Sequence, residues 1–364
     1  MTSFNKGVCY QPFPAPYDPS MANTTCIFFG SDIAYNPMAP LWGTSYTSST
    51  GSMCAHCRND LQTLKEMGVT LIRLYDWEPR NLHLNFLNYC ASLGIQVLAP
   101  ISNYFLLAGF PNRNALIPQL IASFSNESKT DYHPAIAGII IGNEPRISGF
   151  TVQQCIDFTL SWVNIEQSTF SNYRQPLLGH PVDFNQYGGK YPCWGFWDPL
   201  LQALTPVSTR NLGSRLFLAP QTYNEAAYLF QNAEGSGTGY VDLTFQKYQK
   251  PLLFTEISLD RTKPGYLNVV DGQLKGSLAY AASHPGALLG ACYFQFADKV
   301  WKQGTTEGAY GAFSHTDTVL CTVKYGNGDF THWDHGSCDG NQLNVGQLAQ
   351  NPVYDVVVQN YKTA

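Results

Sequence analysis

The chain has 364 residues, of which 44% are hydrophobic, 14% are aromatic and only 13% are charged, and its formal net charge is −5. Such a chain buries a large core, which excludes disorder as a description of the whole. The low charge, without blocks of one sign, disfavours nucleic acid or an anionic membrane surface as partner. The longest apolar stretches, such as residues 287–297, are shorter than the roughly 18 residues of a membrane-spanning helix. We therefore expect a soluble monomer with a neutral polar ligand, no nucleic acid partner and no membrane span.

Short runs of aliphatic and β-branched residues recur along the chain, with amphipathic segments between several of them. This alternation is typical of a parallel sheet covered by helices. The runs predict eight strands, over Gly7–Gln11, Thr70–Tyr75, Gln96–Ile101, Ala137–Gly142, Pro176–Pro181, Arg215–Pro220, Leu252–Thr255 and Leu288–Phe294. The amphipathic segments predict helices over Asn59–Met67, Leu82–Leu93, Thr151–Glu166, Asp271–Ser283 and Gln342–Tyr361. Eight such units without a break in composition favour one α/β domain over residues 1–364, a (β/α)8 TIM barrel.

Three segments are longer or less regular than the short connections of a barrel. Residues 12–58 are rich in Pro, Ser, Thr, Asn and Gly and carry no helical period, residues 187–210 follow strand five, and residues 313–341 follow strand eight. We interpret them as loop insertions after strands one, five and eight.

Two glutamates stand at predicted strand ends. Strand four delivers Asn143-Glu144-Pro145 and strand seven delivers Glu256. Chemistry in such barrels sits where the strands end, so the two carboxyl groups would face one another across its mouth. Cleavage of a glycosidic bond with retention needs a carboxyl group that donates a proton and a carboxylate that attacks, about 5–5.5 Å apart. The pattern predicts Glu144 as acid/base and Glu256 as nucleophile, although glutamates follow strands in many proteins without catalytic purpose.

Two further polar residues fit the same chemistry. Asn143 would be placed to hydrogen-bond a sugar 2-hydroxyl, an interaction that strengthens towards the transition state. Tyr223, at the end of strand six, could donate a hydrogen bond that keeps Glu256 ionised.

Several motifs resemble known families. The opening resembles glycoside hydrolase family 72, the β-1,3-glucanosyltransferases, in Lys6-Gly7-Val8-Cys9-Tyr10-Gln11-Pro12, Cys57-Arg58-Asn59-Asp60-Leu61 and Ile72-Arg73-Leu74-Tyr75-Asp76, with Pro79 and Asn81. The end is similar to family 17, the β-1,3-glucanases, in Tyr293-Phe294-Gln295-Phe296-Ala297-Asp298 and Glu307-Gly308-Ala309-Tyr310-Gly311-Ala312-Phe313.

The resemblance implies a clan A retaining enzyme on a (β/α)8 barrel that acts on β-1,3-glucan. The families' Gly-Asn-Glu motif matches Gly142-Asn143-Glu144, and their nucleophile matches Glu256. After the nucleophile this chain departs from both, with Ile257-Ser258-Leu259 where family 17 has Gly-Trp-Pro and family 72 has Tyr-Gly-Cys. The lysine of family 17 in the strand-eight loop falls near Trp301, with Lys299 and Lys302 as shifted candidates, and Glu307 matches an auxiliary acidic residue.

Flat aromatic rings with polar rims bind sugar faces, and a glucan cleft needs several of them. Candidates at or after predicted strand ends are Tyr10, Tyr75, Trp77, Trp194, Trp197 and Trp301. Tyr10, Tyr223 and Trp301 are preferred, since most aromatic residues must belong to the core. Arg73 and Asp76 could either orient the carboxylates through ion pairs or contact substrate.

The cysteines leave two interpretations open. Cys54-Ala55-His56-Cys57 with His332, His335 and Cys338 could bind zinc only if both ends of the chain converge. Disulfides explain the same residues, namely Cys321–Cys338 around a Gly-rich loop and, by analogy with family 72, Cys54 or Cys57 with Cys90. Cys9 and Cys292 lie on neighbouring strands and would be buried thiols. We expect no metal and no cofactor.

The location of the protein is suggested only indirectly. The first residues lack the basic start and apolar centre of a secretory signal. The ten cysteines and the sequons at Asn23 and Asn126 nevertheless favour a secreted or cell-wall-associated protein.

Two alternatives to a β-glucan glycosidase or transglycosylase remain: a carbohydrate-binding barrel without activity, and a clan A enzyme acting on another β-linked polysaccharide such as mannan or xylan. The residues do not decide between water and a second sugar as acceptor, nor between endo and exo action.

Overall fold

The structure, a computed structural model, describes residues 4–11, 33, 39–43, 58–106, 113–170, 174–299, 308–324 and 342–363. Eight parallel strands form a closed barrel in the order β1 to β8, which confirms the predicted (β/α)8 fold. The strands are β1 Asn5–Cys9, β2 Leu71–Arg73, β3 Gln96–Ile101, β4 Ile136–Ile141, β5 Leu177–Asp183, β6 Leu216–Thr222, β7 Leu252–Ile257 and β8 Leu288–Tyr293. All eight coincide with predicted runs, because parallel barrel strands are buried on both faces and read as near-continuous apolar sequence.

The described helices are α1 Ala39–Trp42, α2 Asp60–Glu66, α3 Leu84–Leu93, α4 Arg113–Ser123, α5 Val152–Thr169, α6 Trp194–Leu204, α7 Leu212–Arg215, α8 Ala226–Phe230, α9 Tyr240–Tyr248, α10 Tyr266–Ser283 and α11 Val353–Thr363. Helices α2, α3, α5 and α10 confirm four of the predictions. Within these helices, no apolar stretch is long enough to cross a lipid bilayer.

The predicted helix over Gln342–Tyr361 is wrong in its first half. Residues Gln342–Gln350 form strand β10, which pairs antiparallel with β9 Phe313–Lys324, and only the part from Val353 is helical. The prediction assumed a helical period, whereas Leu343 and Val345 alternate with polar residues, which is the period of a strand.

The predicted insertions have different outcomes. Within 187–210, residues 194–204 form α6, and its tryptophans belong to the core, so this segment contains the ordinary helix that follows β5. Part of 313–341 is strand β9. Most of 12–58 lies outside the described residues, and the extent of the single domain over 1–364 stays a prediction.

The seam of the barrel lies between β8 and β1. Gly7 faces Cys292 there, and a Cβ atom on Gly7 would lie 2.5 Å from the Cys292 sulfur. Helix α11 covers this seam: the Tyr361 hydroxyl donates to the Gly7 carbonyl (2.8 Å) and to the Ala291 carbonyl (3.1 Å). Lys6 Nζ also donates to the Tyr361 carbonyl at 2.6 Å.

The core has two parts. A large cluster fills the space between barrel and helices. A smaller one fills the barrel interior and includes Leu98, Ile140, Phe217, Leu253 and Phe294. Tyr75 and Tyr310 pack on top of this inner cluster, so the inner cluster forms the floor beneath the carboxyl ends of the strands.

A buried ion cluster lies at the opposite end of the barrel. Glu166 of α5 is fully buried and accepts hydrogen bonds from Arg210 (2.9 Å), Arg215 (2.6 and 2.9 Å) and the Tyr132 hydroxyl. Burial alone would raise the pKa of Glu166, but the bonds from Arg215 and Arg210 lower it below the ordinary value. The cluster ties α5 to the chain entering β4 and β6.

The described cysteines correct part of the disulfide prediction. Cys9 and Cys292 are buried thiols in the barrel interior, as expected. Cys90 is a free thiol buried in the core, so it forms no bridge with Cys54 or Cys57. Cys321 is disulfide-bonded, while Cys338 lies outside the described residues, so the pairing Cys321–Cys338 stays a prediction.

Candidate active site

The turn after β4 places Glu144 at the mouth of the barrel. Gly142 and Glu144 both have a left-handed backbone, with φ of 68° and 48°. A side chain on Gly142 would also come within 2.8 Å of Leu106, so glycine is required there. The Glu144 amide donates to the Pro181 carbonyl of β5 at 3.0 Å, which fixes the turn against the next strand.

Asn103, just after β3, holds the backbone of this turn from the other side. Its Oδ1 accepts from the Asn143 amide at 2.6 Å, and its Nδ2 donates to the Asn143 carbonyl at 3.1 Å. The same Nδ2 donates to the Ser148 hydroxyl at 2.7 Å. That hydroxyl in turn donates to the Asn143 carbonyl at 2.8 Å. Both backbone polar atoms of Asn143 are therefore held by hydrogen bonds.

Glu256 ends β7 almost completely buried, with 4% of its surface exposed. Its Oε1 accepts from Arg73, from the Tyr75 hydroxyl (2.8 Å) and from Gln221 Nε2 (2.9 Å). Its Oε2 accepts from the Tyr223 hydroxyl at 2.7 Å. Four donors, one of them the buried Arg73 guanidinium, surround this carboxyl group, the setting of a carboxylate that accepts hydrogen bonds.

Asn143 connects the two carboxyl groups. Its Oδ1 accepts from Arg73 and from Gln221 Nε2 (2.7 Å), the same two groups that bind Glu256. Its Nδ2 donates to Glu144 Oε2 at 3.1 Å. A continuous chain of hydrogen bonds therefore runs from Glu256 to Glu144.

Glu144 is in a different electrostatic state. Burial is the main cause that raises its pKa from the ordinary 4.5 to about 7. The negative charge of Glu256 adds to the rise, the positive charge of Arg73 opposes it, and Asp183 at the end of β5 contributes further. At mildly acidic pH, Glu144 therefore keeps a proton that it can donate.

Aromatic rings surround the two carboxyl groups. The ring centroid of Phe294 lies 6.4 Å from that of Tyr75, 6.3 Å from that of Tyr223 and 5.4 Å from that of Tyr310. Tyr223 is 36% exposed, which leaves part of its ring open to a ligand. Lys299 Nζ lies 4.9 Å from the Tyr75 centroid, so this lysine, one of the two candidates from the sequence, is at the site.

The structure brings together Glu144, Glu256, Asn143, Tyr75 and Tyr223, and it gives Arg73 the ion-pairing position. Two other expected cleft residues lie elsewhere. Tyr10 is fully buried and donates to Asp60 at 3.0 Å, and Trp197 is 1% exposed on the inner face of α6. Neither presents a ring to the cleft, because proximity to a strand end does not set the direction of a side chain.

The remaining sequence candidates lie either in the core or outside the described residues. Trp77 stacks on His83 with centroids 3.7 Å apart, and the Trp194 indole nitrogen donates to Thr244, so both are core residues. Trp301, Lys302 and Glu307 lie outside the described residues.

Sequence reasoning missed Gln221, Asn103 and Asp183. Gln221 could have been found, since it stands two residues before Tyr223 on β6 and side chains two apart on a strand share a face. Asn103 and Asp183 lack such a signal, because their roles depend on neighbouring strands.

Metal binding receives no support in the described ranges. No group of three or more His, Cys, Asp or Glu residues there could hold a metal ion. Cys54, His56, Cys57, His332, His335 and Cys338, the possible zinc ligands, lie outside those ranges.

Comparison with known proteins adds a structural relative. No protein-family model and no curated protein sequence matches the chain. Among solved structures it is similar to Saccharomyces cerevisiae Gas2p in complex with laminaripentaose, with a TM-score of 0.54 and 16% identity. A Gas2p mutant with laminaritetraose and laminaripentaose gives 0.53 and 15%.

Both alignments cover 100% of this chain, which spans only 64–65% of the Gas2p chains. At this identity, the likeness shows that the two proteins share the barrel fold.

Proposed function

We propose that the protein is a retaining glycoside hydrolase or transglycosylase that acts on β-glucan, with β-1,3-glucan as its preferred substrate. One observation carries the proposal: two glutamates at the ends of β4 and β7 are joined by hydrogen bonds through Asn143 but have opposite surroundings. Glu144 retains a proton, whereas Glu256 faces only donors. Environments that separate two carboxyl groups in this way support Glu144 as the acid, and the strand-end position of Glu256 supports it as the nucleophile of a double displacement.

In the first step, Glu144 protonates the glycosidic oxygen as the bond to the anomeric carbon breaks. Glu256 attacks that carbon from the opposite face and forms a covalent glycosyl ester. The Asn143 amide nitrogen is the donor available for the sugar 2-hydroxyl, where a hydrogen bond stabilises the oxocarbenium-like transition state.

In the second step, Glu144 removes a proton from water or from a sugar hydroxyl, which attacks the anomeric carbon and releases Glu256. Esterification of Glu256 removes the negative charge that helps to raise the Glu144 pKa. The pKa of Glu144 then falls, which favours the ionised form that the base role requires.

The preference for β-1,3-glucan has two supports. The sequence motifs resemble families 17 and 72 at the opening, at the Gly-Asn-Glu turn and near strand eight. Gas2p, which shares the fold, has been solved with bound laminari-oligosaccharides, which are β-1,3-linked glucose oligomers. The half-exposed Tyr223 ring beside Phe294 and Tyr310 offers a stacking surface for a glucose unit.

The test is incubation of purified protein with laminari-oligosaccharides of defined length, with product masses followed over time. Shorter products alone identify a hydrolase, and simultaneous longer products identify a transglycosylase. Proton NMR of the first products checks retention, because a retaining enzyme releases the β-anomer first. No turnover of these or of cello-, manno- or xylo-oligosaccharides would contradict the proposal, and binding of the oligosaccharides would then support a non-catalytic barrel.

We also propose that the protein is secreted or cell-wall associated. Asn126 of the second sequon is half-buried and is followed by the exposed residues 127–130, and Cys321 is disulfide-bonded. Expression in a secreting eukaryotic host tests this: a mass loss on removal of N-glycans that is absent in Asn126→Gln supports it, and retention inside the cell contradicts it.

A further inference from the structure

Gln221 is the polar residue of the site whose purpose neither the sequence nor the proposed reaction supplies. It lies on β6 with 2% of its surface exposed. Its Nε2 donates to two acceptors at once, Asn143 Oδ1 at 2.7 Å and Glu256 Oε1 at 2.9 Å.

The orientation of the Gln221 amide follows from these neighbours. A flipped amide would turn Oε1 towards two other oxygens, which is repulsive, so the nitrogen must face them. Among the described residues, no group donates to the buried Oε1 of Gln221. A buried amide oxygen without a donor is destabilising, so Gln221 contributes through its donor side.

The contact distinguishes the two oxygens of Glu256. Oε1 receives Arg73, Tyr75 and Gln221, whereas Oε2 receives only Tyr223 among the residues that the structure describes. A carboxylate oxygen has about two lone-pair sites, so three donors fill those of Oε1. Oε2 retains an open lone pair and is the oxygen free to attack.

The same contact sets the orientation of Asn143. With Oδ1 held by Arg73 and Gln221, the Asn143 amide must present Nδ2 to Glu144 and to the ligand space. One donor group of Gln221 therefore acts on both the attacking carboxylate and the group offered to the substrate, together with Arg73.

We propose that Gln221 is a positioning residue: its bridge between Asn143 Oδ1 and Glu256 Oε1 acts with Arg73 to keep Glu256 Oε2 as the attacking oxygen and Asn143 Nδ2 as the donor to the sugar 2-hydroxyl. This inference rests on the proposed glycosidase function.

The first test compares Gln221→Leu with a matched control, Asn360→Leu. Asn360 of α11 is also a buried amide, 3% exposed, whose nitrogen donates twice, to Asp271 (2.9 Å) and to the Val356 carbonyl (2.8 Å). With 4-nitrophenyl β-laminaribioside, we expect kcat of Gln221→Leu to fall about 100-fold, the order of effect for misplaced reacting groups, with KM nearly unchanged. Asn360→Leu should lose thermal stability and keep its kcat.

The second test uses the analogue of this substrate that lacks the 2-hydroxyl of the reacting sugar. If Gln221 acts through Asn143, the effects of Gln221→Leu and of 2-deoxygenation will be less than additive, because each removes part of the same interaction. If Gln221 has only a structural role, Gln221→Leu lowers kcat by the same factor with both substrates.

Gln221→Glu preserves the shape and gives a third readout. The introduced carboxyl group can donate only when protonated, so activity should recover towards acidic pH and the pH optimum should shift down. This variant also covers the case in which Gln221→Leu does not fold.

The outcomes separate the two proposals. In one outcome, the wild type is active and folded Gln221 variants keep its kcat, its pH optimum and its response to 2-deoxygenation. That result overturns the positioning role of Gln221 and leaves the glycosidase proposal standing. If the folded wild type turns over no β-glucan, the proposed glycosidase function is wrong, and the positioning role of Gln221 fails with it.

Discussion

Glu144 and Glu256 are the same amino acid, one in the turn after β4 and the other at the end of β7, and their neighbours make them chemically different. Arg73 is bonded to Glu256, whereas the side chain of Glu144 receives a hydrogen bond from Asn143. At the scale of single residues, burial and the like charge of Glu256 keep the proton on Glu144. Substitutions at the two positions should therefore differ in kind.

Azide distinguishes the two roles. Glu256→Ala should lower kcat on 2,4-dinitrophenyl β-laminaribioside by about 10⁴-fold or more, the order found when a nucleophile is removed. Azide entering the vacated space should restore turnover and give the α-glycosyl azide, because one displacement inverts the anomeric carbon. The products are identified by NMR.

In Glu144→Ala, azide should instead attack the glycosyl-enzyme and give the β-glycosyl azide after two inversions. The loss without azide should be about 10²–10⁴-fold on natural oligosaccharides, whose leaving groups need the acid, and smaller on the activated substrate. Interchanged azide anomers would reverse the assignment of acid and nucleophile.

The pH dependence of kcat/KM reports the proton on Glu144. Activity on laminari-oligosaccharides should fall as pH rises through about 7, the pKa to which burial and the Glu256 charge bring Glu144. Glu144→Gln should lose this basic limb on the activated aryl substrate. A basic limb that stays in place in Glu144→Gln would assign the proton to another group.

Stability should follow the same proton. The folded pKa of Glu144 exceeds the ordinary 4.5, so its stabilising contribution is complete below 4.5 and is lost as pH rises through about 7. Glu144→Gln cannot ionise, so its melting temperature relative to wild type should be higher at pH 8 than at pH 4. Equal differences at both pH values would contradict the raised pKa.

At the scale of elements, the close approach of β8 to β1 depends on Gly7. A Cβ atom there would meet the Cys292 sulfur at 2.5 Å and the Ala291 carbonyl oxygen at 2.9 Å. Both contacts are shorter than van der Waals packing allows, so a side chain would push the two strands apart at the seam.

Gly7→Ala should therefore destabilise the protein by about 1–3 kcal/mol, the usual cost of overpacking a core. Cys292→Ala should recover only part of this, since the Ala291 oxygen remains. Gly272 of α10 is the control: a Cβ there would lie 3.5 Å from Ala226 of α8, and Gly272→Ala should stabilise by about 0.5–1 kcal/mol. Urea unfolding measures all three variants, and a neutral Gly7→Ala would refute the steric account.

The pattern of apolar strands and the residues at their ends were sufficient to predict the barrel and the place of the two glutamates. The eight apolar runs fixed the barrel, and with it the position of Glu144 and Glu256. The period of two is consistent with the contacts of Arg73, the last residue of β2, and of Tyr75, two positions later, since both reach Glu256. It could not place Tyr10, which also follows a strand but bonds to Asp60 of α2. Side-chain direction beyond a strand depends on neighbouring elements that the local sequence does not encode.

At the scale of the whole molecule, the two ends of the barrel have separate tasks. The carboxyl ends of the strands hold the candidate site, and the opposite end holds Glu166 with Arg210 and Arg215. In barrels of this kind, polar clusters at the amino-terminal end serve stability. Stability and activity should therefore be separable by substitution.

Glu166→Gln tests this separation. It leaves two buried guanidinium groups without their carboxylate, which should cost about 3–5 kcal/mol. The melting temperature should fall strongly, while kcat/KM per folded molecule at 20 °C should match that of wild type. A specific loss of kcat in folded protein would show that the two ends are coupled.

The position of helix α11 at the end of the chain determines when the barrel seam can be covered during synthesis. Tyr361 bonds to Gly7, 354 positions earlier, and to Ala291, so the seam between the first and last barrel strands is covered by residues made after both. A nascent chain that emerges from the ribosome must keep β1 without this cover until Tyr361 has left the exit tunnel. Contacts of such sequence separation form slowly, and exposed strand edges favour aggregation meanwhile. The arrangement therefore predicts that the seam between β1 and β8 closes fully only after α11 has been synthesised.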